Sequence, residues 1–228
     1  MRVLAIDTSG KYASAAIVQK EPDSGHIAII AEVSLNAKLG EKEYTHSEVL
    51  MPAVQHLFDL TGIKAQDINL AAYTCGPGSF TGIRVGASSA MGIAFALNIP
   101  SVAVPTLDAL AYNVYGTGFD GKIIPMLDAR RGQVYTATYG CTFHKQTEYA
   151  AVMVQELDFS EKTLVLGDGV LAYRSLLEAL PNVYIAGENH CFVRASSVGI
   201  CAIKNPCPGK STMIYVRQPQ AIREQNAG

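Results

Sequence analysis

Two aspartates stand at the ends of strand-like segments, where a carboxylate could take part in chemistry. Asp7 ends the apolar run 4–6 and is followed by Thr8 and Ser9. Asp128 ends a second apolar run in the same way. A carboxylate beside hydroxyls and free backbone N–H groups suits a hydrated magnesium phosphate. The alternative, which we favour, is a carboxylate that accepts hydrogen bonds from its own turn.

A glycine-rich turn follows the apolar run 70–75 and is the most informative stretch of the chain. The sequence Gly76-Pro77-Gly78 is typical of a sharp turn after a buried strand. Ser79 or Thr81 can then cap a helix that begins near Gly82, because a hydroxyl oxygen accepts an N–H of the first turn. Glycines at this turn let either another backbone or an anion approach closely. The spacing matches neither a Walker loop nor a Rossmann fingerprint, so both interpretations stay open.

Four blocks of the chain together resemble the TsaB (YeaZ) family, bacterial relatives of the threonylcarbamoyl transferase TsaD. The blocks are 1–9, the Gly-Pro-Gly-Ser-Phe-Thr-Gly-Ile-Arg-Val-Gly segment at 76–86, 128–135 and 214–217. They follow the family order and span nearly the whole chain, which makes the set specific. The resemblance implies an α/β fold of the actin-like (ASKHA, ribonuclease H-like) class. In that fold two duplicated lobes each contain a mixed sheet flanked by helices.

The resemblance places four residues where related proteins hold the phosphates and magnesium of ATP: Asp7, Thr8, Ser9 and Asp128. Arg130 and Arg131 follow Asp128, and a glycine comes only at Gly132. Two long side chains could bind an anion, but they would crowd a pocket in which phosphate must approach the backbone. The later turn 167–169 resembles a nucleotide-base turn interrupted by a charge. We therefore interpret the four residues as a vestigial nucleotide site and expect no bound cofactor.

The resemblance also identifies the positions at which a metal site would have to lie. TsaD carries a His-x-x-x-His pair on the helix that follows this part of the chain, and four-residue spacing puts both rings on one helix face. In this sequence the two positions are occupied by Thr106 and Leu110. The five histidines are scattered and none pairs with another four residues away: His26, His46, His56, His144 and His190. We expect no metal site and no catalytic residue.

Composition and charge exclude several kinds of protein. The chain has 228 residues, of which 49% are hydrophobic and 17% charged, as in one well-packed large domain or two small lobes. A net charge of −2 argues against autonomous nucleic-acid binding. The chain opens on a strand-like segment, and its apolar runs fall short of the ~20 residues of a membrane span, so we expect neither a signal peptide nor membrane contact. Five cysteines without a Cys-x-x-Cys pair (75, 141, 191, 201 and 207) indicate reduced structural thiols in a cytoplasmic protein.

Periodicity and turn residues predict the elements along the chain. Predicted strands lie at 2–7, 13–19, 26–34, 101–104, 122–128, 133–139, 147–154, 163–166 and 183–186. Predicted helices run from a capping box at Thr45 and Glu48 to Gly62, over 81–97, from Pro105 to near Gly116, and over 170–180 and 194–204. The segment at 205–209 ends the last helix, and the residues after 223 form a frayed tail.

An internal echo predicts a duplication. The strand that ends in Asp7, its turn and the strand 13–18 are matched by the strand that ends in Asp128, its turn and the strand 134–139. We predict two lobes, residues 1–104 with the partner-binding helices and residues 105–228. The segment 214–217 is expected to pack back against the body of the protein.

The predicted helix at 81–97 is apolar or small on nearly every face and must be largely covered. One interpretation is ordinary burial inside the lobe. The other is an apolar patch, formed with the preceding helix, that a partner covers. The resemblance favours the partner, since the TsaB family pairs through these helices with TsaD or with itself. The candidate partner-binding residues are Leu50, Val54, Leu57, Phe58, Val85, Ala87, Met91 and Phe95.

The resemblance implies a non-catalytic protein that supports TsaD in making threonylcarbamoyladenosine at position 37 of tRNAs. The ATPase TsaE would join the complex, tRNA would be contacted only through it, and the chain alone would form a homodimer. Two other classes stay open, an ATP-dependent phosphotransferase of the actin-like superfamily and a zinc peptidase of the glycoprotease type.

Overall fold

Two five-stranded sheets with equivalent strand orders form the framework of the computed structural model, which describes residues 1–36, 38–39, 42–205 and 213–216. The first sheet holds, in spatial order, β3 (Ile27–Asn36), β2 (Tyr12–Lys20), β1 (Arg2–Asp7), β6 (Leu70–Thr74) and β7 (Ser101–Val104). The second holds β10 (Ala150–Met153), β9 (Gln133–Thr136), β8 (Lys122–Asp128), β11 (Thr163–Leu166) and β12 (Val183–Ile185). A separate two-stranded ladder joins β4 (Lys38–Leu39) to β5 (Lys42–Glu43).

The helices connect the strands. They are α1 (His46–Thr61), α2 (Phe80–Leu97), α3 (Thr106–Ala111), α4 (Asp168–Ala172), α5 (Arg174–Glu178) and α6 (Ala195–Lys204), with short 3-10 turns at Ala65–Asp67, Tyr112–Val114, Val154–Glu156 and Glu188–His190. The predicted start of α1 is confirmed, because Glu48 accepts the Thr45 backbone N–H at 2.6 Å. Gly62 ends the helix with a φ of 65°, a backbone conformation that glycine adopts without strain.

The duplication is visible in the strand pairing. In the first sheet, β1 pairs antiparallel with β2 and parallel with β6. In the second sheet, β8 pairs in the same two ways with β9 and β11. Both sheets continue with an antiparallel strand on one side and a parallel strand on the other. The predicted actin-like α/β fold with two duplicated halves is confirmed. The predicted boundary at residues 104 and 105 falls between β7 and α3.

Hydrophobic layers cover the sheets. Helices α1 and α2 lie on one face of the first sheet and share a core with β1, β2 and β6. The opposite face packs on α6 and on α3, which lie between the two sheets. Helix α6 follows the second sheet in sequence, yet it lies so close to the first that a Cβ added to Gly199 would be 2.7 Å from Val18 Cγ2. The two sheets are therefore joined through a shared core.

Helix α2 has the length and apolar composition of a membrane-spanning helix, and a third of it is buried in the structure. Core helices of globular proteins have the same two properties. In this chain one side of α2 packs on the first sheet.

Several predicted elements differ in extent from the structure. The helix predicted from Pro105 to near Gly116 ends at Ala111, and the strand predicted at 147–154 is Ala150–Met153. The strand predicted at 133–139 stops at Thr136, and the chain pairs with β8 again only at Tyr139. Pro125 stands opposite the gap and has no N–H to donate to the ladder. The helix predicted at 170–180 is two short helices, because Tyr173 leaves the helical region with φ −118° and ψ 18°.

The structure describes only some of the cysteines and C-terminal residues for which the sequence makes a prediction. Three of the four described cysteines are buried, and burial raises the pKa of the Cys75 thiol to about 12, which makes it unreactive. The Ile214 N–H donates to the Cys75 carbonyl at 2.8 Å, so this segment lies against the first sheet. Cys207, Arg217, the predicted stop at 206–209 and the predicted frayed tail lie outside the described residues.

Candidate functional site

In the polar turn after β1, the side chains of Asp7, Thr8 and Ser9 all form hydrogen bonds within the chain. Asp7 is 2% exposed, and its Oδ1 accepts from the Ser9 N–H at 3.1 Å, the Ser9 hydroxyl at 2.6 Å and the Thr74 hydroxyl at 2.7 Å. The Thr8 hydroxyl donates to the Gly82 carbonyl at 2.7 Å. Burial raises the pKa of Asp7 to about 6, against the opposing effect of the bonds from Ser9 and Thr74. This geometry supports the interpretation of Asp7 as a carboxylate that stabilises its own turn.

The glycines of the 76–86 segment allow this same turn to pack against α2. A Cβ added to Gly82 would overlap the Thr8 carbonyl oxygen, and one added to Gly86 would overlap the Thr8 hydroxyl. A Cβ on Gly78 would lie 2.5 Å from the Ser9 carbonyl oxygen. Of the two interpretations that the sequence leaves open, close approach of another backbone therefore accounts for these glycines.

Helix α2 begins two residues before the predicted Gly82, and of the two predicted caps Ser79 is the N-cap. Its first residue is Phe80, and the Ser79 hydroxyl accepts the Gly82 N–H at 3.3 Å as the N-cap. A Cβ on Gly76 would overlap the Ile214 carbonyl oxygen, so the C-terminal segment also depends on a glycine in this turn.

The corresponding turn of the second sheet is a tight hairpin. Asp128 Oδ1 accepts the Arg130 N–H at 2.8 Å, and the Arg130 Nε lies 3.7 Å from Asp128 Oδ2. Arg130 and Arg131 have φ values of 62° and 56°, and their side chains are exposed. The left-handed region costs a residue with a side chain roughly 1–2 kcal/mol. The two arginines thus form the turn itself, and a nucleotide role for Asp128 stays a hypothesis.

The turn 167–169 is likewise explained by packing. Asp168 Oδ1 accepts the Asp128 N–H at 3.0 Å, and burial raises the pKa of Asp168. Cβ atoms on Gly167 and Gly169 would both collide with the Met126 carbonyl oxygen. The two glycines let the start of α4 approach β8.

The positions considered for a metal are enclosed by protein. Thr106 and Leu110 are fully buried, and the Thr106 hydroxyl accepts the Gly76 N–H at 3.1 Å. Between them, Asp108 accepts hydrogen bonds from Tyr139 at 2.5 Å and Tyr149 at 2.7 Å, and burial raises its pKa. Within the ranges that the structure describes, no group of three or more His, Cys, Asp or Glu side chains could hold a metal ion.

The candidate partner-binding residues divide into two sets, and the prediction was wrong for the first. The side chains of this set lie in the core between the helices and the first sheet: Leu50, Val54, Leu57 and Ala87. An apolar stripe at helical spacing marks the side of a helix that is covered, and here the sheet covers it. These four residues cannot contact a partner without opening the core.

The second set remains accessible. Phe58 and Val85 are half-buried, Met91 is 43% exposed and Phe95 is 90% exposed. We define the α2 face as the exposed residues at spacings of three and four along the helix: Arg84, Ser88, Met91, Gly92 and Phe95. Met51 and Leu60 are exposed apolar residues on the neighbouring α1. Binding by these residues stays a prediction.

A groove of about 460 Å³ lies at the N-terminal end of the α2 face. It is lined by Phe80, Thr81, Arg84, Val85, Ser88 and Ser89. The Arg84 guanidinium lies 3.8 Å from the centre of the Phe80 ring, and its Nη2 donates to the Tyr215 hydroxyl at 3.4 Å. Arg84 and Phe80 are not among the residues that the sequence predicts for binding. Arg84 precedes Met91 by seven residues, two helical turns, and this spacing could have placed it on the same face.

Comparison with protein families identifies the class to which this fold and these turns belong. The family model for TsaD, the tRNA N6-adenosine threonylcarbamoyltransferase, matches residues 29–165. The chain belongs to this family.

Curated relatives specify the branch of the family. TsaB of Bacillus subtilis, named as a tRNA threonylcarbamoyladenosine biosynthesis protein, is 40% identical over 139 residues. TsaB of Escherichia coli is 32% identical over 139 residues. Each alignment covers 61% of this chain and 55% of the relative, so the chain matches about half the length of these proteins. An uncharacterized protein of Mycobacterium tuberculosis is 30% identical, with 96% of this chain and 93% of that protein aligned.

A solved structure shows the same fold over almost the full length. YeaZ from Pseudomonas aeruginosa superimposes with a TM-score of 0.73 at 22% identity, covering 94% of this chain and 99% of that chain. The resemblance to TsaB (YeaZ) that the sequence motifs indicate is confirmed.

Proposed function

We propose that this chain takes part in the biosynthesis of threonylcarbamoyladenosine in tRNA as a non-catalytic partner of a TsaD transferase. In this proposal TsaD carries out the transfer to position 37 of tRNA, and TsaE joins the complex as its ATPase. The chain acts in the cytoplasm, contacts tRNA only through the complex and forms a homodimer when TsaD is absent.

The observation that carries the proposal is the α2 face. Leaving a Phe side chain such as Phe95 in water instead of burying it costs about 1.5–3 kcal/mol. A partner that covers Met91, Phe95 and the exposed apolar residues of α1 recovers this free energy. A stable interface buries about 800 Å² on each side, and Met51, Leu60, Met91 and Phe95 expose apolar side chains toward such a partner on two neighbouring helices.

The internal hydrogen bonds of the polar turns also support a non-catalytic role. Asp7, Thr8, Ser9 and Asp128 each make a hydrogen bond within the chain. Thr106 and Leu110 stand at the positions of the TsaD metal ligands, and a leucine side chain has no atom that binds a metal.

The test places a charge on the α2 face. We expect Met91→Glu to yield a folded monomer that no longer binds TsaD or supports the tRNA modification, because an unpaired carboxylate would be buried at the interface. Leu171→Glu is the matched control, since Leu171 is 44% exposed and lies on α4 beside the second sheet. Sedimentation velocity gives the oligomeric state, titration calorimetry the TsaD affinity, and mass spectrometry of tRNA nucleosides the modification.

Several outcomes would contradict the proposal. If Met91→Glu stays dimeric and binds TsaD as the unmodified chain does, the interface lies elsewhere. Micromolar ATP binding that is lost in Asp7→Ala would favour the phosphotransferase. Stoichiometric zinc with peptidase turnover in the isolated chain would favour the peptidase.

A further inference from the structure

The groove at the N-terminal end of the α2 face contains a cation, Arg84, for which the described part of the chain supplies no counter-ion. Arg84 is the charged residue among those that line the groove. Among the ion pairs between described residues, none includes Arg84. Its interactions in the described part of the chain are with the Phe80 ring and the Tyr215 hydroxyl.

Aromatic contacts hold this guanidinium in place. Arg84 stacks on Phe80, and the Phe80 and Tyr215 rings are 5.6 Å apart. A guanidinium has five N–H donors, of which the Tyr215 hydroxyl accepts one. Because stacking restricts the side chain before binding, less conformational entropy is lost when a ligand arrives. The remaining donors form the planar fork that fits a carboxylate through two hydrogen bonds.

The surroundings of Arg84 fit one acidic side chain of a protein. The hydroxyls of Thr81, Ser88 and Ser89 line the same groove and can donate to a carboxylate. Met91 and Phe95 continue the face with apolar surface. A single cation beside apolar side chains does not suit RNA, because RNA binding relies on several phosphate contacts.

A second copy of this chain is a poor source of the acid. Helix α2 contains no Asp or Glu. On α1, Glu48 already accepts from the Thr45 N–H and hydroxyl, and Asp59 accepts from Gln55 at 2.8 Å. A two-fold pairing of the α1 and α2 helices would therefore offer Arg84 only carboxylates that already accept hydrogen bonds within their own chain.

We propose that Arg84 binds an acidic side chain of the TsaD partner in this groove and so distinguishes the partner from a second copy of the chain. The inference rests on the proposed function for the identity of the partner. It adds a residue that determines specificity.

The experiment compares two associations of the same variants. For Arg84→Gln we expect TsaD affinity to fall at least about tenfold, while self-association changes by less than about twofold. Raising salt from about 0.1 M to about 0.5 M should weaken TsaD binding of the unmodified chain more than that of Arg84→Gln. Arg84→Lys keeps the charge without the fork and should lie between them. Arg131→Gln is the matched control, because Arg131 is an exposed arginine on the hairpin of the second sheet.

The outcomes separate this inference from the proposed function. If Arg84→Gln binds TsaD as tightly as the unmodified chain while Met91→Glu does not bind, the inference is wrong and the proposed function stands. A parallel loss of self-association in Arg84→Gln would assign the acid to a second copy and overturn the inference. Failure of the unmodified chain to bind TsaD would overturn both. Thermal unfolding of each variant identifies a loss of binding that is due to unfolding.

Discussion

At the scale of single residues, burial governs the charge of Asp7. The carboxylate lies at the carboxyl end of β1, where Ser9 and Thr74 donate to one of its oxygens. Those bonds favour the ionised form, but loss of water has the larger effect and raises the pKa to about 6. An acid with a raised pKa in the folded state is bound to its proton more tightly there than in the unfolded chain. Folding is therefore coupled to the protonation of Asp7.

The coupling predicts the direction of the pH dependence. Well below pH 4, Asp7 is protonated in both the folded and the unfolded state. Between about pH 4 and 6, the carboxyl is ionised in the unfolded chain but still protonated in the folded one, so stability falls as pH rises. We expect the free energy of unfolding, relative to Asp7→Asn, to fall by about 2.5 kcal/mol between pH 4 and 7.5, since each pKa unit corresponds to about 1.4 kcal/mol and the unfolded carboxyl is already partly ionised at pH 4. Urea unfolding at several pH values measures it.

Asp128→Asn controls for the change from acid to amide, because this carboxylate occupies the corresponding turn of the second sheet with 32% of its side chain exposed. A difference between the unmodified chain and Asp7→Asn that stays constant with pH would contradict the coupling.

At the scale of elements, the two sides of α2 have different roles. Its inner side contacts the turn after β1 so closely that Gly82 and Gly86 leave no space for a side chain. Its outer side carries the α2 face and the groove at Arg84. The packing of the inner side positions the outer side, so a change at the inner glycines should disturb the fold before it disturbs binding.

Two alanine substitutions in this one helix should have opposite effects. Gly82→Ala would push a Cβ into the Thr8 carbonyl oxygen, and overpacking of this kind costs about 1–3 kcal/mol or more. A Cβ on Gly92 meets nothing within 4 Å, so Gly92→Ala should stabilise the protein by up to about 1 kcal/mol through helix propensity. Urea unfolding at pH 7 measures both. Equal stability of the two variants would show that α2 does not approach Thr8 as described.

At the scale of the whole molecule, the last described helix joins the two sheets. Glu32 on β3 accepts from the Ser196 N–H at 2.9 Å and from Arg194 Nη2 at 2.6 Å. A carboxylate of the first sheet thereby satisfies an N–H in the first turn of α6, which follows the second sheet in sequence. This link is in addition to the apolar contact of α6 with β1 and β2.

Removing this carboxylate should weaken the fold more than removing an exposed one. We expect Glu32→Ala to lower the free energy of unfolding by about 2 kcal/mol, because Ser196 loses a charged acceptor. Glu178→Ala breaks an ion pair with Arg174 in which both side chains are about half exposed, and should change stability by less than about 0.5 kcal/mol. Chemical denaturation compares them. Equal losses in the two variants would argue against a special role for Glu32.

The sequence by itself determined the type and order of most elements. Short apolar runs predicted β1 and β2, the capping box predicted the start of α1, and the glycine turn predicted α2. The repeated strand and turn at Asp7 and Asp128 predicted the duplicated fold. These features depend on local chemistry, such as the preference of glycine for a turn and of a hydroxyl for a helix cap.

Only the tertiary structure decided which side of each helix is free. Leu50 on α1 and Phe95 on α2 both belong to apolar patterns of helical spacing in the sequence. In the structure Leu50 is buried against the first sheet, whereas Phe95 is exposed. Periodicity places residues on a common face, but the neighbouring elements determine whether that face is covered. The contact of Glu32 with α6 and the stacking of Arg84 on Phe80 beside Tyr215 also depend on segments distant in sequence, whose approach no local pattern specifies.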